Sequence, residues 1–529
     1  MADSSWWREG VIYQIYPRSF QDSSGDGIGD LNGVIRRLDY LQWLGIDAIW
    51  LTPITVSPDK DMGYDVADYC KVQPAFGDLK AVDALIRESD RRGIKVVLDI
   101  VPNHTSDQHP WFLDARRSRQ ARHRDWYVWA DPKPDGSPPN NWLSIFGGPA
   151  WTLDKPTGQF YLHNFLAEQP DLNWWNPDVR DAFDEVYRFW FDRGVAGFRI
   201  DVAHGIVKDR ELRDNPVATD NDSPAVRAHG QRTVYNMERR EVHDVLRRWR
   251  TLANGYDPPR ILLGETYVLD VRTMGRFYGT GDELHLAFNF TYIHAPFNAE
   301  VLAEVVAESE LVIPDVGWPV WTVSNHDVSR VMSRWCGGDE RKVRLALLSL
   351  LTLRGTPVLY YGDELGLPDT RVGKADLQDP VGKRQWPRPG RDPVRTPMPW
   401  TPGKGAGFTD ADVKPWLPIG DNKARNVEDQ RQDPNSTLAF VRDVIAARRS
   451  SADLRGGSYD QLASPPETWV YRRGTSAIVA LNLSSREVVI PHVRGTVRVA
   501  TQRDRAGEQV RDELRLAPWE GAICFSDST

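Results

Sequence analysis

A helix that ends at glycine and leads directly into a short apolar strand recurs along this chain. Residues 31–44 carry leucine and valine at helical spacing, Gly45 follows, and residues 46–51 form an apolar run. The same order returns at residues 79–100, 176–202 and 341–361. Glycine often ends a helix because it adopts left-handed backbone angles, and continuously apolar strands are typical of a buried parallel sheet. The repeats therefore predict βα units.

Four more apolar runs bring the number of predicted strands to eight. They lie at residues 11–16, 261–265, 284–288 and 320–324. Eight strands that alternate with helices predict an α/β fold, a (β/α)8 TIM barrel, in which the chemistry takes place at the carboxyl ends of the strands.

Two irregular segments and a change of pattern predict the domain organisation. The first segment, 105–171, is rich in Pro, Gly, Asn and Trp, and predicts a lobe inserted after strand three. It divides the barrel into residues 1–104 and 172–455, the second part carrying a long loop at about 365–433 after strand eight. Such long loops are usually functional. Short alternating strands from residue 456 to 529 predict a C-terminal antiparallel β-sandwich domain.

Composition excludes several classes of protein. The net charge is −8, so the chain lacks the basic surface of a nucleic-acid-binding protein. Three cysteines, far apart in sequence, predict no disulfide framework. The N-terminus lacks the pattern of a signal peptide, and no run of 18 apolar residues occurs. We therefore expect a soluble cytoplasmic protein with no membrane partner, either a monomer or a homodimer.

Polar side chains follow the predicted strands, where a buried barrel does not need them. Asp201 follows Arg199 by two residues on strand four, so both point to one side. Glu265 ends strand five, Asp327 follows strand seven, and Asp65 lies between strands two and three. His104 and His326 come with them, after strands three and seven. Each group alone would fit a helix cap or a structural ion pair; together at one rim they favour a catalytic site.

This set of residues suits the hydrolysis of glycosides. The reaction needs a nucleophile that stays ionised and an acid that holds a proton. We expect Arg199 to keep Asp201 ionised as the nucleophile. Glu265 suits the general acid and base, Asp327 can stabilise positive charge on the sugar, and the histidines can donate hydrogen bonds to hydroxyl groups.

Motifs in order and spacing along the chain carry a family resemblance. They are DIVPNH at 99–104, GFRID at 197–201, GET at 264–266 and NHD at 325–327, supported by YQIYP at 13–17, QPDLN at 169–173 and RTPMPW at 395–400. The chain resembles the α-amylase superfamily (glycoside hydrolase family thirteen), and within it the α-glucosidase and oligo-1,6-glucosidase group.

The resemblance implies a retaining, exo-acting α-glucosidase that acts on short oligosaccharides or α-glucosides, with some transglucosylation. It implies Asp201 as nucleophile, Glu265 as acid and base, and Asp327 as transition-state stabiliser. It also implies a second set that binds the terminal glucose: Asp65, Tyr64, His104, Arg199, His326 and Arg395. Within this set, Tyr64 would stack on the sugar and Asp65 would pair with Arg395. Phe146 and Phe165 resemble the aromatic residues that line the pocket in this group.

The run from Asp22 to Asp30 has oxygen-bearing residues at alternate positions with glycines between them. That spacing suits a hard cation, Ca²⁺ or alternatively Mg²⁺, in a structural role. The candidate ligands are Asp22, Ser24, Asp26, the carbonyl of Ile28 and Asp30. The loop also resembles the divalent-ion loop of the family, which usually has Asn at the position of Ser24. A solvated acidic turn is the alternative.

Two further functions remain open on this scaffold. One is a glucoside isomerase or transglucosidase, because residues 103–112 also resemble trehalose synthases, although the RLDRD loop typical of sucrose isomerases is missing. The other is a non-catalytic, transporter-associated carbohydrate-binding protein, which the presence of all three carboxylates disfavours. In relatives, valine at the position of Val202 accompanies α-1,6 preference. Ala203 and His204 depart from the common patterns, so the linkage also stays open.

Overall fold

Eight parallel strands close into a barrel in a computed structural model that describes residues 6–314, 316–388 and 390–526. We number them β1 to β8 in chain order; each pairs with its neighbours in sequence, and β8 pairs with β1. Their bounds are Ile12–Ile15 (β1), Ala48–Leu51 (β2), Lys95–Ile100 (β3), Gly197–Ile200 (β4), Ile261–Gly264 (β5), Leu286–Phe288 (β6), Trp318–Thr322 (β7) and Thr356–Tyr360 (β8). The predicted barrel is confirmed. The outermost residues of the predicted domains, 1–5 and 527–529, lie outside the described residues.

The helices begin and end at residues suited to those positions. The helix before β4 starts after Asn176, whose side chain accepts a hydrogen bond from the Asp178 amide, and has proline at its first position. The predicted helix at 31–44 is instead two helices that meet at Arg37. The side chain of Arg37 donates to Gln21 there. The longer helices are Leu31–Arg36, Leu38–Leu44, Leu79–Asp90, Pro177–Asp192, Val242–Asn254, Ala299–Val312, Glu340–Thr352 and Thr437–Ser450.

The segment between β3 and the helix Pro177–Asp192 forms the inserted lobe. It contains a three-stranded antiparallel sheet with Gln159–Leu162 in the centre, flanked by Trp129–Ala130 and Trp151–Asp154. A short helix, Pro110–Ala115, precedes the sheet although the sequence pattern showed no helical period there. Its Phe112 stacks on a tryptophan of the sheet, so packing between aromatic side chains stabilises this helix.

The C-terminal strands form two antiparallel sheets, one of six strands and one of two. Ile490 and Leu514 of the smaller sheet share a core with Val470 and Ala522 of the larger one. The strands are Tyr459–Gln461, Thr468–Arg473, Ala477–Asn482, Val488–Pro491, Gly495–Ala500, Gln509–Val510, Glu513–Leu516 and Gly521–Phe525. Within the described ranges, no helix has both the length and the apolar character needed to cross a membrane.

Candidate active site

A pocket of about 300 Å³ lies at the carboxyl ends of the barrel strands. Asp201 follows β4, Glu265 follows β5 and Asp327 comes after β7, and all three line this pocket. A volume of this size suits a small ligand. The full lining consists of Asp61, Tyr64, His104, Ile145, Phe146, Phe165, Asp201, Val202, His204, Met237, Glu265, Tyr267, Phe290, His294, Asp327, Val328 and Arg391. A larger cavity, about 890 Å³, lies where β3 and β4 begin and contains none of these three carboxylates.

One buried arginine contacts three carboxylates at the base of the pocket. Nη1 of Arg199 lies 2.7 Å from Oδ1 of Asp201 and 2.9 Å from Oδ1 of Asp99. Its Nη2 lies 2.8 Å from Oε2 of Glu265. Asp99 and Arg199 are register partners on β3 and β4, which places their side chains on the same face. The sheet register thus brings together groups that are 100 residues apart in sequence.

The ionisation of Asp201 depends on this whole cluster and not on Arg199 alone. Burial raises the pKa of Asp201 well above its usual range, and although Arg199 opposes this, the nearby charges of Glu265 and Asp99 reinforce it. The expectation that Arg199 keeps Asp201 ionised was therefore incomplete, because the single positive charge of Arg199 is shared among Asp99, Asp201 and Glu265. The arrangement favours a shared proton within the cluster.

Asp327 lies in a different electrostatic environment. Its Oδ1 is 2.7 Å from Nη2 of Arg395 and 3.3 Å from Nη1 of Arg391, and its Oδ2 is 3.3 Å from Nε2 of His326. Burial opposes its ionisation, but the permanent charges of Arg391 and Arg395 lower its pKa below the ordinary range. Asp327 is therefore a carboxylate that stays negative and faces the pocket.

The predicted pair between Asp65 and Arg395 is wrong. The carboxylate of Asp65 is fully buried and accepts hydrogen bonds from the hydroxyl of Ser57 and the amides of Lys60 and Asp61. Asp61 lines the pocket instead, and its Oδ1 lies 2.5 Å from Nη2 of Arg391. The reason is that the Asp65 carboxylate folds back onto residues 57–61 of its own loop, whereas the Asp61 carboxylate reaches the pocket.

Besides Asp65, three more of the predicted sugar-binding residues lie behind the lining. Arg199 and Arg395 contact the carboxylates, and His326 stacks on Tyr64 with ring centroids 5.4 Å apart. Nδ1 of His326 lies 2.8 Å from Nε2 of Gln14, and its Nε2 lies 2.6 Å from the hydroxyl of Tyr64. Burial lowers the pKa of His326 to about 3, so its ring is neutral and orients Tyr64.

Aromatic side chains of the inserted lobe form one wall of the pocket. Phe146 and Phe165 pack edge to face, with ring centroids 5.5 Å apart. Phe165 also contacts the ring of His104 at 5.2 Å, and the guanidinium of Arg391 lies 5.2 Å from the centre of Phe146. The structure therefore places both predicted phenylalanines in the lining, next to the ion pair of Asp61.

Comparison with known proteins identifies the family. Residues 14–457 match the family model described as alpha amylase, catalytic domain. The chain belongs to the α-amylase family. It is a glycoside hydrolase by this membership.

Curated members of the α-amylase family resemble the chain over most of its length. A probable α-glucosidase of Rhizobium meliloti (strain 1021) is 45% identical over 473 residues, which cover 87% of this chain and 85% of the relative. An oligo-1,6-glucosidase of Heyndrickxia coagulans is 36% identical, with 92% of this chain and 93% of the relative covered. A crystal structure of an α-glucosyl transfer enzyme, XgtA, has a TM-score of 0.92 and 40% identity, covering 99% of each chain.

Several residues of this α-amylase-family pocket were missed in the sequence. Tyr267 and Phe290 form a second aromatic wall, with ring centroids 4.6 Å apart. The ring centroid of His294 lies 5.6 Å from that of Tyr267. Tyr267 stands two residues after Glu265, and its aromatic character next to a catalytic motif was a usable signal. His204 lines the pocket three residues after Asp201, at a position the sequence marked only as unusual. Met237 lines it from the long loop after β4, where no local pattern marks it.

The long loop after β4 also holds the lobe in place. Asn236 donates a hydrogen bond of 2.8 Å to Asn164, which directly precedes Phe165. Lys208 is buried and lies 3.0 Å from Asp171, at the end of the lobe. These polar contacts are fully enclosed, so each loss would leave a buried group without its partner. The loop and the lobe therefore act as one wall.

The Asp22–Asp30 loop remains a proposed site for Ca²⁺ or Mg²⁺. The carboxylate of Asp22 accepts hydrogen bonds from three loop amides and from the hydroxyls of Ser24 and Thr409. Asp30 caps a helix by accepting from the Gly33 amide, and Asp26 accepts from the amide of Ile28. A cation at Asp22 would compete with these bonds for the same oxygen lone pairs, so the fit is partial and predicts low affinity.

Proposed function

We propose that the protein is a retaining α-glucosidase that removes terminal glucose from short α-glucosides. One observation supports the proposal above all: Asp201 and Glu265 each contact a terminal nitrogen of the same guanidinium, that of Arg199. Two carboxyl groups held this way lie close together. This favours the spacing of about 5–5.5 Å found in retaining enzymes over the wider spacing of inverting ones.

In the first step, Asp201 attacks the anomeric carbon and the bond to the leaving oxygen breaks. Because Oδ1 of Asp201 is held by Arg199, Oδ2 is the attacking oxygen. Glu265 gives its proton to the leaving oxygen and later takes one from water, which hydrolyses the glucosyl ester. Of the acids that share Arg199, the mechanism assigns the proton to Glu265. Asp327, held negative by two arginines, stabilises positive charge on the sugar ring.

The shape of the pocket supports action at a chain end. The lobe contributes Phe146 and Phe165, and the loop after β8 contributes Arg391, which reaches Asp61 across the pocket. A pocket closed at one end by an ion pair admits one terminal sugar and excludes a long chain that continues in both directions. The names of the relatives, α-glucosidase and oligo-1,6-glucosidase, agree with this substrate class.

Transfer of glucose to another hydroxyl compound is the second candidate activity. Met237, Tyr267 and Phe290 contribute apolar surface to the same pocket as Glu265. An acceptor packed there would compete with water for the glucosyl ester. The similarity to an α-glucosyl transfer enzyme supports this activity.

A panel of maltose, isomaltose and sucrose, followed by NMR, tests the proposal. We expect free glucose that is α at first and equilibrates later, because two displacements at one carbon retain configuration. Initial β-glucose would indicate inversion, and a rearranged disaccharide would indicate an isomerase. Either result, or no reaction with any α-glucoside, would contradict the proposed function.

The nucleophile is tested by Asp201→Asn. We expect kcat to fall by at least about 10⁴-fold with little change in Tm, because the amide cannot form the ester although it fills the same space. A fluorinated glucosyl donor should label Asp201 in the wild type, as read by mass spectrometry of peptides. A label on another residue would refute the assignment.

A further inference from the structure

Val202, next to Asp201, has a backbone conformation that a valine rarely adopts. Its φ is +46°, and it is the only β-branched residue among the positive-φ positions of the described part of the chain. Left-handed angles bring Cβ against the following carbonyl, and a branched side chain makes this worse. Strain of this kind persists only where the surroundings impose it, and it concentrates at functional sites.

The hydrogen bonds on either side explain why the backbone turns at this residue. The Asp201 amide donates to the carbonyl of Ile100 at the end of β3, at 2.9 Å. The Ala203 amide donates to the carbonyl of Glu265, at 3.0 Å. Between them, the Val202 amide donates to Oε2 of the Glu265 side chain, at 2.9 Å. Three successive N–H groups thus reach two different strands, which an extended backbone cannot do.

We infer that the left-handed turn at Val202 positions the general acid, and that Glu265 transfers its proton from Oε1. This rests on the proposed function. Oε2 faces two N–H donors, the Val202 amide and Nη2 of Arg199. A proton on Oε2 would point at these donors, whereas a proton on Oε1 leaves Oε2 as the acceptor of both. Val202 is therefore a positioning residue that acts through its amide.

Proton transfer from Oε1 completes the first step without any other reactant. The bond between Oδ2 of Asp201 and the anomeric carbon forms while the bond from that carbon to the leaving oxygen breaks. The proton moves from Oε1 of Glu265 to the leaving oxygen, and Glu265 becomes a carboxylate. Its new negative charge is greatest where the Val202 amide and Arg199 already donate, so both contacts strengthen as the proton leaves.

Replacing Val202 by its α-hydroxy acid tests the inference, because the resulting ester lacks the N–H and keeps the side chain. We expect kcat/KM for maltose or isomaltose, whichever the wild type hydrolyses, to fall about 10- to 100-fold, as for loss of a hydrogen bond to a charged group. The high-pH limb of kcat/KM should move up by about one pH unit, because the amide favours the ionised acid. Charged or titratable groups facing this site are Arg199, Asp99, Asp201, His204 and Tyr267, and the ester changes none of them.

A substrate with a good leaving group separates positioning of the acid from general damage. With 2,4-dinitrophenyl α-glucoside, bond cleavage needs little acid catalysis, so the ester variant should keep kcat/KM within about twofold. Equal losses on both substrates, or an unchanged pH limb, would overturn the inference. The proposed function would fail differently, through a wild type that is inactive on every α-glucoside.

Two controls complete the test. The same ester at Val268, whose amide donates to the backbone carbonyl of Thr266, should leave the pH limb unchanged. V202A and V202G both lose the branched methyl groups, and glycine, which also lacks Cβ, is the one that relieves the left-handed strain. We therefore expect V202G to be at least as stable as V202A. A lower Tm for V202G than for V202A would contradict the strained backbone.

Discussion

Two aspartates four residues apart in one turn have opposite roles in this protein. Asp61 faces the pocket and pairs with Arg391, while Asp65 accepts hydrogen bonds from the turn itself. Left-handed residues at Met62 and Gly63 shape the turn between them. The direction of each carboxylate, and not its identity, therefore decides which one can bind a sugar.

Substitution of each aspartate by asparagine separates binding from stability. Asp61→Asn should lower kcat/KM for the hydrolysed glucoside about 10- to 100-fold, because a charged hydrogen-bond partner in the pocket is lost. Asp65→Asn should instead lower Tm by about 1–4 °C, since its NH₂ group would face a donor. Steady-state kinetics and thermal denaturation measure the two effects. A larger loss of kcat/KM in Asp65→Asn than in Asp61→Asn would contradict the assignment.

At the level of elements, the loop from Asp22 to Asp30 joins the barrel to the long loop after β8. The hydroxyl of Thr409 donates to Asp22, and the Asp22 amide donates to the carbonyl of Phe408. The hydroxyl of Ser24 also turns toward Asp22, at 3.2 Å. The polar groups of the loop therefore bond to one another. The side chain of Ser24 is shorter than the asparagine usual in the family and bonds to Asp22 instead of reaching an ion.

Ser24→Asn should increase the stabilisation of the protein by Ca²⁺. The longer amide can offer its oxygen to an ion, whereas the serine hydroxyl bonds to Asp22. We expect millimolar Ca²⁺ to raise Tm by no more than about 1 °C in the wild type and by more in the variant. Thermal denaturation after treatment with a chelator, with Mg²⁺ as a parallel titration, measures this. Tight, stoichiometric Ca²⁺ binding by the wild type would show that the ion displaces the hydrogen bonds.

At the level of the whole molecule, local patterns in the sequence predicted the barrel and the ends of its strands. Asp201, Glu265 and Asp327 were found because each follows an apolar strand. Contacts between remote loops had no such signal. Asn236 and Asn164 meet across 72 positions. Arg391 belongs to no motif, although it lies only four residues before Arg395, which begins RTPMPW. Their directions depend on how the lobe and two loops pack over the barrel.

A buried carboxyl group after β8 makes the stability of the whole fold depend on pH. Burial raises the pKa of Asp363 to about 7, although Arg330 partly opposes this. The unfolded chain releases the same proton near pH 3.9. Between these values the unfolded state binds fewer protons, so this group lowers the free energy of unfolding as the pH rises.

Asp363→Asn removes this titration. We therefore expect the Tm of the variant, relative to that of the wild type, to rise as the pH increases from about 4 to 8. Scans at one heating rate and several pH values measure it, with the exposed Asp410→Asn as the control. Because Asp363 lies 3.5 Å from Nη1 of Arg330, the variant also loses an ion pair. If that attraction outweighed the cost of burial, the Tm of the variant would instead fall relative to that of the wild type as the pH rises. This result would show that the carboxylate is ionised in the folded protein.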